Sequence, residues 1–169
     1  NDVSGNGNDW TSSGLDAQDA ATDTPSNNFC VMNCLNQRLT YPATFSQGNC
    51  ILQAGGDWGS WSSTLGASKG KWYFEGKRIS PGGHAGLIGI LSENATNNST
   101  NAGNNFLLGG AAQYQAVAYM SNDGKKYPGS GSYDSAWGTS YASGAIISCA
   151  FDLDYGKIYF AQNGTWQVS

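Results

Sequence analysis

The chain has 169 residues, of which only 12% are charged while 24 are glycine, and its formal net charge at pH 7 is −4. This composition favours a turn-rich all-β protein over a helical one. The eight lysine and arginine residues are scattered and no apolar segment approaches the roughly 20 residues that cross a bilayer, so neither nucleic-acid binding nor a membrane span is predicted.

Residues 1–28 are predicted to form an irregular leader or arm. This segment is rich in Asn, Asp, Ser, Thr and Gly, and Trp10 and Leu15 are its only large apolar residues. It cannot build a core by itself, so it must lie on another surface or stay mobile. The amino terminus has neither an initiator methionine nor a signal-peptide pattern, which predicts that the chain starts inside a longer product.

Residues 29–169 carry a series of strand patterns that predict one β domain. The early candidates are short, and the two that follow are richer in aromatic and β-branched residues. In chain order the candidates lie at 29–32, 39–41, 49–52, 70–75 (GKWYFE) and 86–90 (GLIGI).

A long polar segment at 92–105 (SENATNNSTNAGNN) separates two strand candidates. Loops of this length are functional or disordered. Amide side chains offer paired donors and acceptors that match sugar hydroxyls, so Asn97, Asn98 and Asn104 are candidate ligand-binding residues.

The clearest pattern is a β-hairpin within 144–166. Apolar residues on both sides of the alternation at 145–151 predict a strand that is buried on both faces or nearly so. Residues 152–156 (DLDYG) supply carboxylates and a glycine for a tight reversal, and a β-branched and aromatic run follows at 157–160. Asn163-Gly164 then marks another turn.

These segments resemble, in the same order, the motifs of SPRY domains. The GKWYFE and GLIGI segments are similar to two early strands of the family, and 133–141 is similar to its aromatic-glycine segment. The hairpin at 144–166 closely resembles the family's signature. The resemblance implies a bent antiparallel β-sandwich of the concanavalin-like jelly-roll kind, and therefore an all-β fold.

SPRY-like folds continue with further strands after this hairpin, whereas the sequence halts at Ser169. An unpaired sandwich strand would expose backbone groups and an apolar face. We therefore expect the closing strands to lie beyond Ser169 in a longer protein, or to come from another chain.

The leader and the SPRY-like motifs together resemble phage structural proteins, notably tail fibres and other virion appendages. The leader contributes GNGNDWT at 5–11 and DTPSNNF at 23–29. The resemblance implies a non-enzymatic protein on the tail or capsid surface whose loops bind host glycans or another virion protein. An intracellular SPRY adaptor that docks a partner peptide is the alternative. A homo-oligomer stays open, because fibres are often trimeric although no heptad or repeat argues for it.

Aromatic side chains would complete a sugar site, because the apolar C–H face of a pyranose packs on Trp or Tyr. Aromatic residues near glycine-rich loop segments are therefore candidates for ligand binding, with core packing as the competing interpretation for each of them. The candidates are Trp58, Trp61, Tyr127, Tyr133, Trp137 and Tyr141.

The chain offers little material for catalysis. His84 is the single histidine and lies in a predicted turn with no serine nucleophile motif nearby. Asp152 and Asp154 could form a carboxylate pair for glycoside cleavage, but turn capping is the favoured interpretation. No catalytic residue and no cofactor is predicted.

The four cysteines are Cys30, Cys34, Cys50 and Cys149. Cys30 and Cys34 could supply two ligands of a zinc site, but no second closely spaced pair and no nearby histidine supplies the other two, so no metal site is predicted. Free thiols are favoured, with a disulfide from Cys50 to Cys30 or Cys34 as the alternative. Cys149 falls in a predicted buried strand and reads as a small apolar side chain.

Overall fold

A computed structural model describes residues 3–9, 11, 13–15, 26, 28–37, 42–55, 61–79, 86–92, 116–127 and 137–167. These residues form eleven β-strands and no helix, so the predicted all-β class is confirmed. The part of the chain that is described thus holds no helix with the length and hydropathy of a membrane span. The strands are β1 (Met32–Gln37), β2 (Thr44–Ser46), β3 (Ile51–Gln53), β4 (Trp61–Ser63), β5 (Lys71–Lys77), β6 (Leu87–Leu91), β7 (Ala116–Met120), β8 (Lys126–Tyr127), β9 (Ile146–Asp152), β10 (Lys157–Gln162) and β11 (Thr165–Trp166).

The strands pair into antiparallel sheets. The largest sheet has four strands in the order β11-β10-β9-β5, and a three-stranded sheet has the order β6-β7-β8. Two further pairs, β1 with β4 and β2 with β3, form two-stranded sheets. A backbone hydrogen bond of 2.9 Å from Met32 N to Asn49 O connects these two small sheets.

Most predicted strands are observed, with shifted ends. The segments predicted at 70–75 and 86–90 correspond to β5 and β6. The segment predicted at 29–32 contributes only Met32 to a strand. The observed strand, β1, begins at Met32 and ends at Gln37. The segment at 39–41 lies outside the described residues.

Two turns shape the four-stranded sheet as the sequence predicts. Between β9 and β10, Gly156 has a φ of 63°, and Asp152 Oδ1 accepts hydrogen bonds from Asp154 N at 3.0 Å and Tyr155 N at 3.2 Å. Between β10 and β11, Asn163 and Gly164 have φ values of 48° and 82°, which suit the tight hairpin turns that Asn-Gly favours.

The core lies between the four-stranded and three-stranded sheets, which pack face to face as a β-sandwich. Tyr119 of β7 is its centre, with ring centroids 5.1 Å from Trp137, 5.0 Å from Tyr141 and 5.9 Å from Phe160. Apolar residues of β5, β6, β9 and β10, with Val117 of β7 itself, fill the space around it. These residues are Phe74, Ile88, Ile90, Val117, Ile147, Cys149, Phe151 and Ile158.

The middle of β9 is buried on both faces, as predicted. Ile147 and Cys149 point into the core, and Ser148 between them is also buried. Ile146 at the start of the strand is exposed, so the double burial does not extend along its whole length.

Gly89 lets β6 approach β7 closely, and this approach is testable. A Cβ atom at Gly89 would collide with the carbonyl oxygen of Val117 and with the backbone of Ala118. We expect Gly89→Ala to lower the free energy of unfolding by about 2 kcal/mol or more, because backbone atoms cannot yield as a side chain can. Urea denaturation measures this change. Gly66→Ala is the matched control, since nothing lies within 4 Å of its added Cβ, and equal midpoints for the two variants would contradict the packing.

The four cysteines are free thiols with different environments. Cys30 and Cys50 are exposed, whereas Cys149 lies in the core, where burial raises the pKa of its thiol to about 12. We expect a thiol reagent to label Cys30 and Cys50 in the native protein and Cys149 only after unfolding, because the reactive thiolate is scarce and inaccessible there. Peptide mass mapping of the labelled sites measures this order. Native labelling of Cys149 at the rate of Cys50 would contradict its position.

Candidate functional site

A shallow depression lies between the β10–β11 hairpin and the loop at 137–139, and we call it the amide groove. Its walls are mostly amide and hydroxyl side chains with two tryptophans. Among the described residues that line it, none carries a carboxylate, an imidazole, a thiol or an amine. The lining residues are Trp137, Gly138, Thr139, Gln162, Asn163, Thr165, Trp166 and Gln167.

The hairpin forms one wall of the amide groove because of its tight turn. Asn163-Gly164 reverses the chain so that Trp166 pairs with Ala161 and Thr165 pairs with Gln162. A further backbone bond of 2.9 Å from Gln167 N to Phe160 O extends the pairing past β11. The side chains of the hairpin are thereby held at fixed positions.

Thr139 ties the loop at 137–139 to the hairpin. Its hydroxyl donates to Gln162 Oε1 at 3.0 Å, and its backbone N–H donates to Gln167 Oε1 at 3.1 Å. Gln167 Nε2 donates in turn to the carbonyl of Thr165 at 3.0 Å. Within the described residues the side-chain nitrogen of Gln162 has no hydrogen-bond partner, so its two N–H groups are available to a ligand.

The core supports this network from below through Tyr119. The Tyr119 hydroxyl donates to the carbonyl of Thr139 and lies 3.4 Å from Gln162 Oε1. Burial raises the pKa of Tyr119, and its hydrogen bonds to Thr139 offset only part of that rise. The phenol therefore stays protonated at neutral pH and keeps its donor.

The two tryptophans of the amide groove differ in exposure. Trp137 is buried, with its ring centroid 5.6 Å from that of Phe160 and the ammonium of Lys126 at 5.4 Å from the indole ring. Trp166 is 49% exposed and presents an indole to solvent. The groove thus combines an unpaired amide donor of Gln162 with one exposed tryptophan in its lining, and the hairpin register places these two side chains on opposite faces of the sheet.

Tyr141 and Trp137 were expected on presented loops, and their burial corrects that expectation. The Tyr141 hydroxyl lies 3.1 Å from Gly86 O and 3.0 Å from Tyr119 O, and burial raises its pKa. A glycine-rich context suggested an exposed loop, but the Tyr141 ring packs against Tyr119 in the core. Tyr141 is therefore a core residue, and Trp137 is both part of the core cluster and a lining residue of the amide groove.

Of the remaining candidates, Trp61 is not among the residues that line the amide groove. Trp61 lies half-buried on β4, and its indole N–H is buried without a hydrogen-bond partner. Tyr127 ends β8 opposite Ala118. The other predicted residues lie outside the described part of the chain, as does His84. They are Trp58, Asn97, Asn98, Asn104 and Tyr133.

The sequence did not identify Thr139, Gln162, Trp166 and Gln167 as site residues. The Asn163-Gly164 turn was recognised as structural, and the side chains that it brings together carry no motif of their own. The signal that could have found them is the hairpin register, which places polar residues on both sides of the turn.

Asp152 and Asp154 are engaged by the backbone around the β9–β10 turn. Asp152 Oδ2 lies 3.8 Å from Lys71 Nζ, and Asp154 Oδ1 accepts from Gly70 N at 3.0 Å. These contacts match the turn-capping interpretation.

Among the described residues, no group of three or more His, Cys, Asp or Glu could hold a metal ion.

No model of a known protein family and no curated protein sequence matches this chain. The resemblances to SPRY domains and to phage appendages therefore stay predictions from the motifs. Because a β-sandwich hosts many unrelated functions, a function has to be argued from the amide groove itself.

Proposed function

We propose that this chain is a non-enzymatic recognition domain of a phage virion appendage, and that it binds carbohydrate through the amide groove. The observation that supports this proposal most directly is the unpaired amide nitrogen of Gln162 in a groove that the exposed Trp166 also lines. A sugar ring has an apolar C–H face and a rim of hydroxyls, and these two groups complement the two features.

The amide groove is organised before a ligand arrives. Thr139 donates hydrogen bonds to the side-chain oxygens of Gln162 and Gln167. These bonds hold the Gln162 side chain, so its free N–H groups have a fixed direction. A held side chain loses less conformational entropy on binding than a mobile one. This favours recognition of hydroxyl positions, which requires fixed donors.

The absence of acid–base groups among the lining residues supports binding without catalysis. Cleavage of a glycosidic bond needs two carboxylates that flank the bond. The described lining of the amide groove has none. The Asp152 carboxylate accepts from backbone amides of the β9–β10 turn, and the Asp154 carboxylate accepts from the backbone amide of Gly70.

The virion assignment rests on the sequence. The order of motifs from the leader to the hairpin resembles phage appendages, and the Asn-, Ser-, Thr- and Gly-rich composition suits a protein exposed on a particle surface.

Immunogold electron microscopy of phage particles, with an antibody raised against this chain, tests the virion assignment. Labelling of tails or capsids is expected, and an unlabelled particle whose host lysate contains the chain would contradict it.

The amide groove is tested with two substitutions. We expect Trp166→Ala to weaken glycan binding about tenfold through loss of the aromatic contact. Gln162→Glu should weaken it as well, because the carboxylate keeps an acceptor but loses both N–H donors. A glycan array followed by isothermal titration calorimetry on the hits measures these effects.

Trp72→Ala is the matched control for Trp166→Ala. Trp72 is 50% exposed, close to the 49% of Trp166, but it does not line the amide groove. The proposal predicts unchanged affinity for this variant. Absence of any glycan binding by the unsubstituted chain would overturn the proposed carbohydrate role.

A further inference from the structure

The four-stranded sheet ends at β5, and half of the backbone groups of this strand point away from the sheet. At one end of β5, Gly70 O accepts a hydrogen bond from Leu153 N at 2.9 Å. At the other end, Arg78 N donates to Ala145 O at 3.0 Å. Because hydrogen-bonded pairs alternate along an antiparallel ladder, the even-numbered residues of β5 bond to β9 and the odd-numbered residues point outward.

We call these outward backbone groups the β5 edge, and they belong to Lys71, Tyr73, Glu75 and Lys77. Within the described residues, no strand pairs with this edge and no backbone hydrogen bond reaches it. The side chains nearby leave it open, since Tyr73 is 57% exposed and Trp72 is 50% exposed. The Trp72 indole N–H donates to Lys69 O at 2.8 Å, so its ring lies back along its own strand. An open edge of this kind is a template for a further strand.

The charges of the β5 edge complement a second copy of the same strand. Lys71 and Glu75 are four residues apart, and Tyr73 lies midway between them. In an antiparallel pair centred on Tyr73, Lys71 of each copy therefore lies opposite Glu75 of the other. The Lys71 side chain is 74% exposed and lies 3.8 Å from Asp152 Oδ2, so it can turn toward a second copy. Opposite charges at directly opposed positions stabilise a strand pair.

Other registers are disfavoured by charge or by the backbone. A pair centred on Phe74 would place Lys71 opposite Lys77, and a pair centred on Glu75 would place two carboxylates opposite each other. A register that opposes an odd-numbered and an even-numbered residue is excluded, because only the odd-numbered residues have free groups. The sequence of β5 thus selects one register.

Lysines on an edge strand often prevent association, but the two lysines of β5 do not block this register. Lys71 meets an opposite charge in it. Gly70 has a φ of 86°, which ends the extended backbone at that point. Lys77 of the other copy would come just past this end, so it lies beyond the paired stretch.

The same register brings aromatic side chains together on both sides of the joined sheets. Trp72 lies opposite Phe151 of β9, on the side of the sheet that faces the core, and Tyr73 lies on the other side. Trp72 of each copy would therefore lie opposite Phe74 of the other, and the two Tyr73 side chains would lie opposite each other. Aromatic pairs across strands stabilise the pairing.

We propose that the β5 edge is a self-association site, at which two copies of this chain pair β5 with β5 in antiparallel and join their four-stranded sheets. Tyr73 lies at the two-fold axis, between two Lys71–Glu75 contacts. A second copy is the occupant because β5 itself supplies an acid opposite Lys71 and a base opposite Glu75. The pairing supplies about six backbone hydrogen bonds over a small area, so the dimer is weak and depends on concentration.

This inference goes beyond the proposed carbohydrate function and does not depend on it. The order β11-β10-β9-β5 places the β5 edge on the opposite side of the sheet from β11, whose residues line the amide groove. A ligand in the groove and a second copy at the β5 edge therefore do not compete.

Sedimentation equilibrium of the 169-residue chain, over a concentration series up to about 0.5 mM, measures the association. We expect a reversible equilibrium between monomer and dimer. Tyr73→Pro should weaken the dimer about tenfold or more, because it removes the outward N–H at the centre of the pairing and no hydrogen bond to β9. Circular dichroism verifies that each variant keeps its sheet.

Charge exchange tests the register. Lys71→Glu and Glu75→Lys should each weaken the dimer about tenfold, because each places like charges opposite each other at two positions. An equimolar mixture of the two variants should associate again, since every contact between positions 71 and 75 then joins a glutamate with a lysine. A mixture that stays as monomeric as its components would overturn the proposed pairing.

Lys77→Glu is the matched control, because it reverses a charge on the same strand but outside the paired stretch. We expect its association to equal that of the unsubstituted chain. Tighter association of this variant would show a pair centred on Phe74 and would overturn the register that we propose.

The remaining outcomes concern the site as a whole. A chain that stays monomeric through the series would overturn self-association and leave the β5 edge to an extended segment of a different protein. A dimer that is unaffected by Tyr73→Pro and by both charge reversals would place the contact elsewhere and overturn the proposal. Trp166→Ala and Gln162→Glu should leave the association unchanged, so failure of this inference and failure of the carbohydrate function are distinguishable.

Discussion

The packing of Tyr119 between the two sheets is the interaction on which the rest of the sandwich depends. Its ring contacts Trp137, Tyr141 and Phe160. Tyr119 of β7 thereby joins β10 and the segment at 137–141 in one cluster. Its hydroxyl then donates to the carbonyl of Thr139. One side chain thus couples the hydrophobic core to the loop that forms a wall of the amide groove, because an aromatic ring supplies buried area and its polar tip still needs a partner.

The pleat of β9 and β10 gives these two strands a side that faces the core and a side that faces away from it. Phe160 faces the core while its neighbour Tyr159 is exposed, and on β9 Ile147 lies in the core while its neighbour Ile146 is exposed. A register slip of one residue would exchange the two sets. The outward residues therefore keep their positions only as long as the core residues hold the register.

The sequence predicts the local parts of this structure and misses the parts that long-range packing decides. The hairpin was predictable because alternation and the Asn163-Gly164 turn are local signals. The burial of Tyr141 was not, since it depends on contact with Tyr119, 22 residues earlier. Likewise Thr139 meets Gln162 and Gln167 across separations of 23 and 28 residues. Contacts between residues so far apart in the chain follow no regular sequence spacing, so a single sequence does not predict them.

The carboxylates on the outer side of the four-stranded sheet are too far apart to form a hydrolytic pair. Glu75 pairs with Ser148, and Asp152 lies four residues farther along β9 on the same side of the sheet. At about 3.4 Å per residue their backbones are about 14 Å apart, whereas glycosidases keep their two carboxyl groups within about 5 to 9.5 Å. Asp152 cannot swing toward Glu75, because its Oδ1 accepts from two backbone amides at the turn. Among the described residues of this sheet face, Glu75 therefore has no second carboxylate at the separation that glycoside hydrolysis requires.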